Sequence, residues 1–521
     1  MRGERTVSGH ARGVVALVVA VLAISTIAGS CSFFGSFASE HWVSPTGNDG
    51  ATGDEASPWR SIDTALTRAA PGDTIHITPG VYYERVIMTR SGEDGSPIRI
   101  VGYDGAVLDG SQDESEPDSE YYWGGLLELR GASHVEITGL SVRATRGSAI
   151  FVREDATNVT ITNNHTINTA RSGIGVWGAT NVVVSDNVIE TAGYAGDGAG
   201  IQLVDVVAFE ARGNTVTTVG SADHPEDGIS VARDSSDGTV AENTISAVQG
   251  RAIVLESWEA GTISGVSLRD NNVSASGIGV EIHPALGGTI EQVSVGGTTV
   301  VSCGDAYLIN NMGVETGVPG TVREIDVSSN HAEECETALR LMLMSGSSVG
   351  AITLENTIAE NITDHGCLVS LSGSAEPPLI EALAIVNNTF FNTNSNGGYG
   401  AALEISSYVD ASSKITVANN IFAASNVRSV VVDLDNPGTV TVDHNLFTEA
   451  SFGAAGETHG TNALETSATI FTDSAAGDFT LVAGSPAIDA GRSTDAPDVD
   501  YLGTVRPQGS AVDMGAYEYA P

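Results

Sequence analysis

Val159-Thr-Ile-Thr-Asn-Asn164 returns as Val182-Val-Val-Ser-Asp-Asn187, Phe209-Glu-Ala-Arg-Gly-Asn214, Val240-Ala-Glu-Asn243 and Val266-Ser-Leu-Arg-Asp-Asn-Asn272. Each copy is a short alternating run closed by asparagine, then a second short run, a glycine-containing turn and another alternating run. Asn164, Asn187, Asn214, Asn243 and Asn272 lie 23, 27, 29 and 29 residues apart. A unit of that length cannot bury its own apolar face and must stack on its neighbours, which makes the chain a solenoid. The runs are rich in Val, Ile and Thr with a period of two, so the coils are built of strands. The fold predicted is all-β, a right-handed parallel β-helix. In it an inward asparagine bonds to the asparagines above and below, about 4.8 Å away.

Composition supports that reading and removes other classes. Of 521 residues, 65 are Asp or Glu and 23 are Lys or Arg, a formal charge of −42, and 41% are hydrophobic. That apolar share is too large for a disordered chain, and four cysteines cannot hold a miniature disulfide scaffold of this length. Such a charge repels phosphate backbones and anionic membranes, so nucleic acid is not an expected partner. Lys414 is the one lysine, a bias that both high salt and a GC-rich genome produce.

At the N-terminus, Arg2, Arg5 and Arg12 precede an apolar run from Val14 to Ala28, and Ala28-Gly-Ser-Cys31 follows. This is the order of a secretory signal, residues 1–31. Cys31 stands where a bacterial lipobox has its lipid-bearing cysteine, although Ala28 and Ser30 depart from that pattern; plain cleavage and lipidation at Cys31 both remain open. Either way the protein is expected outside the cell or at its surface, meeting the membrane only through such a lipid. Residues 41–133 are read as an N-terminal cap with the first coils, 134–450 as the central β-helix and 451–521 as a C-terminal cap. Within the first, residues 57–70 read as a short helix with Trp59, Ile62, Ala65 and Leu66 on one face.

Four stretches then carry a resemblance: His41-Trp-Val-Ser-Pro-Thr-Gly-Asn-Asp-Gly50, Ser57-Pro-Trp-Arg-Ser-Ile62, Pro71-Gly-Asp-Thr-Ile-His-Ile-Thr-Pro-Gly-Val-Tyr82 and Ser96-Pro-Ile-Arg-Ile-Val-Gly102. Together they resemble the opening of secreted pectin-lyase-like β-helix proteins, nearest the branch containing family-nine pectate lyases. Ser485-Pro-Ala-Ile-Asp-Ala-Gly491, Arg506-Pro507 and Val512-Asp-Met-Gly-Ala-Tyr-Glu518 resemble the choice-of-anchor module that follows such helices. The resemblance implies polysaccharide chemistry, in the lyases by a lysine base and aspartate-held calcium. The matching text here is Gly228-Ile-Ser-Val-Ala-Arg-Asp-Ser-Ser-Asp-Gly238 and Glu256-Ser-Trp-Glu259, with Ser230 and Ala232 in place of the family's aspartate and lysine. Carried over residue by residue, that mechanism lacks its base.

The pleat supplies a different set of candidates. Aligned on their small first residue, the strands after the turn are Ala149-Ile-Phe-Val-Arg153, Gly173-Ile-Gly-Val-Trp177, Gly200-Ile-Gln-Leu-Val204, Gly228-Ile-Ser-Val-Ala232, Ala252-Ile-Val-Leu-Glu256 and Gly279-Val-Glu-Ile-His283. The second and fourth positions face inward, and the third and fifth outward. Glu256, Glu281 and His283 thereby become outward neighbours, with Glu259 close in sequence and Asp227 in the turn before the sheet. Paired carboxylates at this spacing are the equipment of a glycoside hydrolase. Trp177, Phe151 and Trp258 are candidate stacking surfaces for sugar rings, and Arg153, Arg233 and Gln202 candidate polar contacts.

Calcium is the cofactor the resemblance implies, with Asp197 and Asp227 as candidate ligands. The insert Asp113-Glu-Ser-Glu-Pro-Asp-Ser-Glu-Tyr-Tyr-Trp123 and the acids Asp498, Asp500 and Asp513 read as a solvated loop and as turn caps. Cys303 and Cys335 each precede a strand-opening alanine by three residues, so they stack on adjacent coils and are predicted to form a disulfide, leaving Cys367 a buried thiol. The resulting reading is an exported monomer acting on a polysaccharide by carboxylate-based hydrolysis. Calcium-assisted elimination and non-catalytic carbohydrate binding or adhesion stand as alternatives.

Overall fold

The computed structural model describes residues 39–112, 124–311, 318–371, 377–396, 400–407, 409–425, 428–434, 439–448 and 456–520. Residues 1–31, which read as a signal sequence and include Cys31, and the acidic insert 113–123 lie outside them. Over the described residues the chain is a β-solenoid of about 13 coils with one short α-helix. Its strands form a 26-stranded sheet that wraps two faces of the coil and a 15-stranded sheet on the third. The wrap is visible in single strands: Ile174–Ser185 and Ala199–Arg212 run unbroken through what one coil earlier is the pair Ser148–Arg153 and Ala156–Thr162. Ile150, Ile174, Ile201, Ile229 and Ile253 stack in register and are buried, as the alternation demands.

The asparagine ladder has one side-chain-to-side-chain bond per coil, beside a backbone N–H bond to the same oxygen. Asn164 Nδ2 donates to Asn187 Oδ1 at 3.1 Å, Asn187 to Asn214 at 3.0 Å, Asn214 to Asn243 at 3.0 Å and Asn243 to Asn271 at 3.0 Å. The fifth member is Asn271, and Asn272 is exposed, so the spacing counted to Asn272 is one residue too long. Thr298 and Thr357 take the same place in later coils, where their backbone N–H groups donate to Asn330 and Asn388. The residue before each ladder position is left-handed, as at Asn163, Asp186, Glu242 and Asp270, which is the bend between faces.

Both ends of the stack are covered. The N-terminal helix is Ile62–Arg68, capped by Ser61, and buries Ile62, Ala65 and Leu66. It is shorter than the pattern suggests because Trp59 is held in extended backbone, its N–H donating to Trp42 O at 2.9 Å, although its ring is buried. At the other end Phe390, Phe422 and Phe447 stack inside the core at 5.2 Å, and His459 closes the stack at 3.9 Å from Phe447.

The remaining C-terminal residues run back along the flank. A second apolar cluster joins Ile421 and Leu446 of the solenoid to Phe471, Phe479, Met514 and Ala516. Left-handed asparagines on successive coils fasten this segment: Asn356 Nδ2 donates to Val499 O, Asn387 to Asp513 O and Asn419 to Arg492 O, each at 2.9 Å. Arg506, paired with Glu518 at 3.0 Å with both side chains buried, reaches Asn356 Oδ1 at 3.2 Å. Asp500 and Asp513 accept backbone N–H groups and cap turns.

The predicted disulfide is absent. Cys303 and Cys335 are adjacent, the N–H of Cys303 lying 3.5 Å from Cys335 Sγ, but both are free thiols. Cys303 Sγ donates to Val301 O at 3.5 Å, and Cys335 Sγ reaches Glu333 O at 3.3 Å and Val300 O of the neighbouring coil at 3.7 Å. Cys367 is a buried thiol pushed up to about 12 by burial.

Candidate active site

The outward columns have the register the pleat dictates. Phe151 pairs with Gly175, Gly175 with Gln202, Gln202 with Ser230, Ser230 with Val254 and Val254 with Glu281, while Ala232 pairs with Glu256 and Glu256 with His283. Asp227, Glu256, Glu281 and His283 are therefore brought together, and Arg251 organises them. Its Nε and Nη2 donate to Asp227 Oδ1 and Oδ2 at 2.8 and 2.7 Å. Its Nη1 donates to Glu256 Oε1 at 3.1 Å and to Glu281 Oε2 at 3.3 Å. Asn310 Nδ2 donates to the other Glu281 oxygen at 2.8 Å, and His283 Nδ1 lies obliquely 3.2 Å from Glu256 Oε1.

This arrangement divides the two glutamates. Glu281 has a side chain only 4% exposed and both oxygens engaged, so it positions Arg251 and Asn310 rather than facing solvent. Glu256 and His283, at 23% and 22%, keep open edges. Burial pushes Glu256 upward, but His283 and the Arg251 guanidinium outweigh it and bring the carboxyl down to about 2. Burial likewise opposes the charge of Arg251, and its three carboxylates overcome that and hold it above its ordinary value. That direction favours the ionised form of Glu256 and disfavours it as a proton donor.

Other candidates sit apart. Glu259 is exposed in the turn beyond the strand, 3.6 Å from Arg233 Nη2, and touches none of the network. Arg233 opens the turn after the strand Asp227–Ala232, left-handed, 3.5 Å from Asp205 and with its guanidinium 5.8 Å over the Trp258 ring. Phe151 is 2% exposed and packs edge-on against Trp177 at 5.7 Å; it offers no face to a sugar, since Gly175 below it lets the ring fold onto the sheet. Trp177 is half-buried and donates from Nε1 to Gln202 Oε1 at 3.2 Å. Arg153 is bound to the fully buried Glu128 at 2.7 Å, alongside Arg85 and Arg130. Burial raises the Glu128 carboxyl, and the guanidiniums of Arg130 and Arg153 reverse this and leave it low.

The residues do not fit a calcium ion. Both oxygens of Asp227 are taken by Arg251, Asp197 is exposed and lies 3.6 Å from Arg171, and Ser230 and Ala232 are buried where the lyase pattern has an acid and a base. An oxygen-rich cage cannot be assembled from that set.

Alignment on the small strand-opening residue passes over Arg251, because it and Asp227 occupy the position just before that residue. Asp305, at the same place in a later coil, pairs with Arg340 at 3.0 Å. Extending the alignment one residue upstream and one coil downstream reveals Arg251 and Asn310 together.

Residues 41–196 match the model of the Pel9A-like right-handed β-helix region, and residues 124–312 that of the right-handed β-helix region. The chain is 30% identical over 133 residues to the uncharacterized protein YwoF of Bacillus subtilis, covering 24% of this chain and 28% of that one. It is 33% identical over 79 residues to the pectate lyase PEL9 of Emericella nidulans, covering 14% and 19%. The matched stretches thus span less than a third of those relatives' length. The hyperthermoactive exopolygalacturonase of Thermotoga maritima aligns at a TM-score of 0.48 and 15% identity, over 61% of this chain and 83% of that one.

Proposed function

We propose that this chain is an exported enzyme that binds and hydrolyses a neutral polysaccharide on the outward face formed by the strands Asp227–Ala232, Arg251–Glu256 and Ile278–His283. One observation carries the reading: a partly open Glu256 stands beside His283 in a cluster of three carboxylates and one guanidinium. The excess negative charge suits a transition state in which positive charge builds on the sugar ring, and it repels a uronate. Glu256 faces that positive charge and orients His283. His283 gives its proton to the leaving oxygen as the glycosidic C–O bond breaks, and water adds to the anomeric carbon. The proton released by water restores His283. Trp177, half-buried along the same face, is placed to support a neighbouring ring.

The test is digestion of a panel of neutral and uronic polysaccharides, with calcium and with chelator. Reducing ends are followed together with the ultraviolet absorbance of unsaturated uronate. Hydrolysis requires reducing ends without absorbance, lost in Glu256→Gln and in His283→Ala. Absorbance abolished by chelator would replace this reading with elimination, and binding without cleavage across the panel would replace it with adhesion.

A further inference from the structure

On the 15-stranded sheet, away from Arg251 and its partners, the strand His331–Glu333 places two side chains two residues apart on one face. The next coil adds a third, because Glu333 pairs with Glu360 in register. His331 Nε2 lies 2.9 Å from Glu360 Oε1, and each of His331, Glu333 and Glu360 offers a ligand atom within 4.8 Å of the others. They open into a cavity of about 540 Å³ whose far wall is the C-terminal segment Ser474 to Gly477. Gly477 brings that wall close: a Cβ there would stand 3.8 Å from Glu360 Oε1.

The electrostatics of this cavity are unlike those of the rest of the protein. Glu360 is 6% exposed. Every other buried carboxylate among the described residues is met by an arginine, as Glu128 and Glu281 are, or by backbone N–H groups, as Asp500 and Asp513 are. Glu360 instead has an imidazole on one side and a second carboxylate one strand spacing away, and no Arg or Lys lines the cavity. Two carboxylates about 5 Å apart in a half-enclosed space repel unless a cation sits with them.

We propose that His331, Glu333 and Glu360 bind one divalent cation of zinc character between the solenoid and the C-terminal segment. One imidazole nitrogen with two carboxylates is a zinc donor set, and the imidazole selects against calcium and magnesium. Ligand atoms around a tetrahedral zinc ion stand roughly 3.3 Å apart, which the present side chains reach with small rotations. The cavity leaves the fourth position to water. The ion neutralises the carboxylates and ties the flank of the solenoid to the segment that covers it.

The experiment uses the full chain, untagged and stripped with chelator, then loaded with zinc chloride and desalted. Elemental analysis should find one equivalent of zinc retained, and the melting midpoint should rise by about 1–3 °C, with no rise from calcium or magnesium at the same concentration. His331→Gln and Glu333→Gln should each weaken zinc binding at least about tenfold in calorimetric titration. Glu333 is only half-buried, so its variant keeps the test open if a change nearer the core unfolds the protein. Zinc absent after desalting, or retained equally by both variants, overturns the proposal, as does calcium binding as tight as zinc. Polysaccharide cleavage is a separate readout, so this site and the proposed active site fail independently.

Discussion

Arg251 and Asp227 are joined by two parallel hydrogen bonds, at 2.8 and 2.7 Å, across neighbouring coils. This fork is the anchor from which the same guanidinium reaches Glu256 and Glu281. Replacing Arg251 by Met leaves Asp227 and the buried Glu281 without a counter-charge. The expected cost is about 2–3 kcal/mol, below that of a fully buried pair because the arginine is partly open. Arg251→Lys should recover only part of it, since an ammonium cannot form the fork. Urea unfolding of the three proteins measures this, and equal midpoints for wild type and Arg251→Met would remove Arg251 from its central place.

Glu256 and Glu355 should respond to pH in opposite directions. Glu256 is held down to about 2, so its stabilising contribution is complete above the ordinary carboxylate value and disappears as pH falls through about 2. Glu256→Gln should therefore melt below wild type at pH 7, and the gap should narrow as pH approaches 2.

For Glu355 the sign reverses. Burial first, then the neighbouring Asp326, push its carboxyl up to about 7 against the pull of Arg506. The folded state favours the protonated form, so that contribution is present below the ordinary carboxylate value and is lost as pH rises through about 7. Glu355→Gln should leave the melting midpoint unchanged at pH 4 and raise it at pH 8. A variant that melts lower than wild type at pH 8 would show that the Glu355 anion is stabilised by Arg506 rather than strained by Asp326.

The inward strands, the coil stacking and the neighbour relation of Glu256 and His283 were legible in the sequence because a period of two fixes the face of every residue. What escaped was decided by reach rather than by face. Arg251 starts one position before the alignment frame, and its long side chain crosses to three carboxylates that alternation alone leaves separate. Phe151 has the outward parity of a sugar platform, yet the space over Gly175 lets its ring lie down and become buried. Asn271 and Asn272 are indistinguishable by composition, and only the bend settles which turns inward. Cys303 and Cys335 stack as the repeat requires, yet both are free thiols, because stacking in a column does not by itself form the bond. The surroundings of Glu360 are not legible in its own repeat, because its cavity wall, Ser474 to Gly477, comes from more than a hundred residues further along the chain.

The asparagine ladder makes a graded prediction. Asn214 Nδ2 donates to Val184 O at 2.9 Å and to Asn243 Oδ1 at 3.0 Å, while its own Oδ1 accepts the N–H and Nδ2 of Asn187, each at 3.0 Å. Alanine at this position leaves buried donors and acceptors on two coils with no water to replace the amide, an expected loss of about 3 kcal/mol. Asn214→Thr should cost less than Asn214→Ala. Thr298 and Thr357 already hold ladder positions, each with a backbone N–H still donating to the next asparagine and a hydroxyl that reaches its own strand. Hydrogen exchange at Asn187 and Asn214, read beside the urea midpoints, locates the damage. Faster exchange confined to those two coils would show that each rung stabilises its neighbours, whereas an unchanged midpoint in Asn214→Ala would mean that side-chain packing alone holds the stack together.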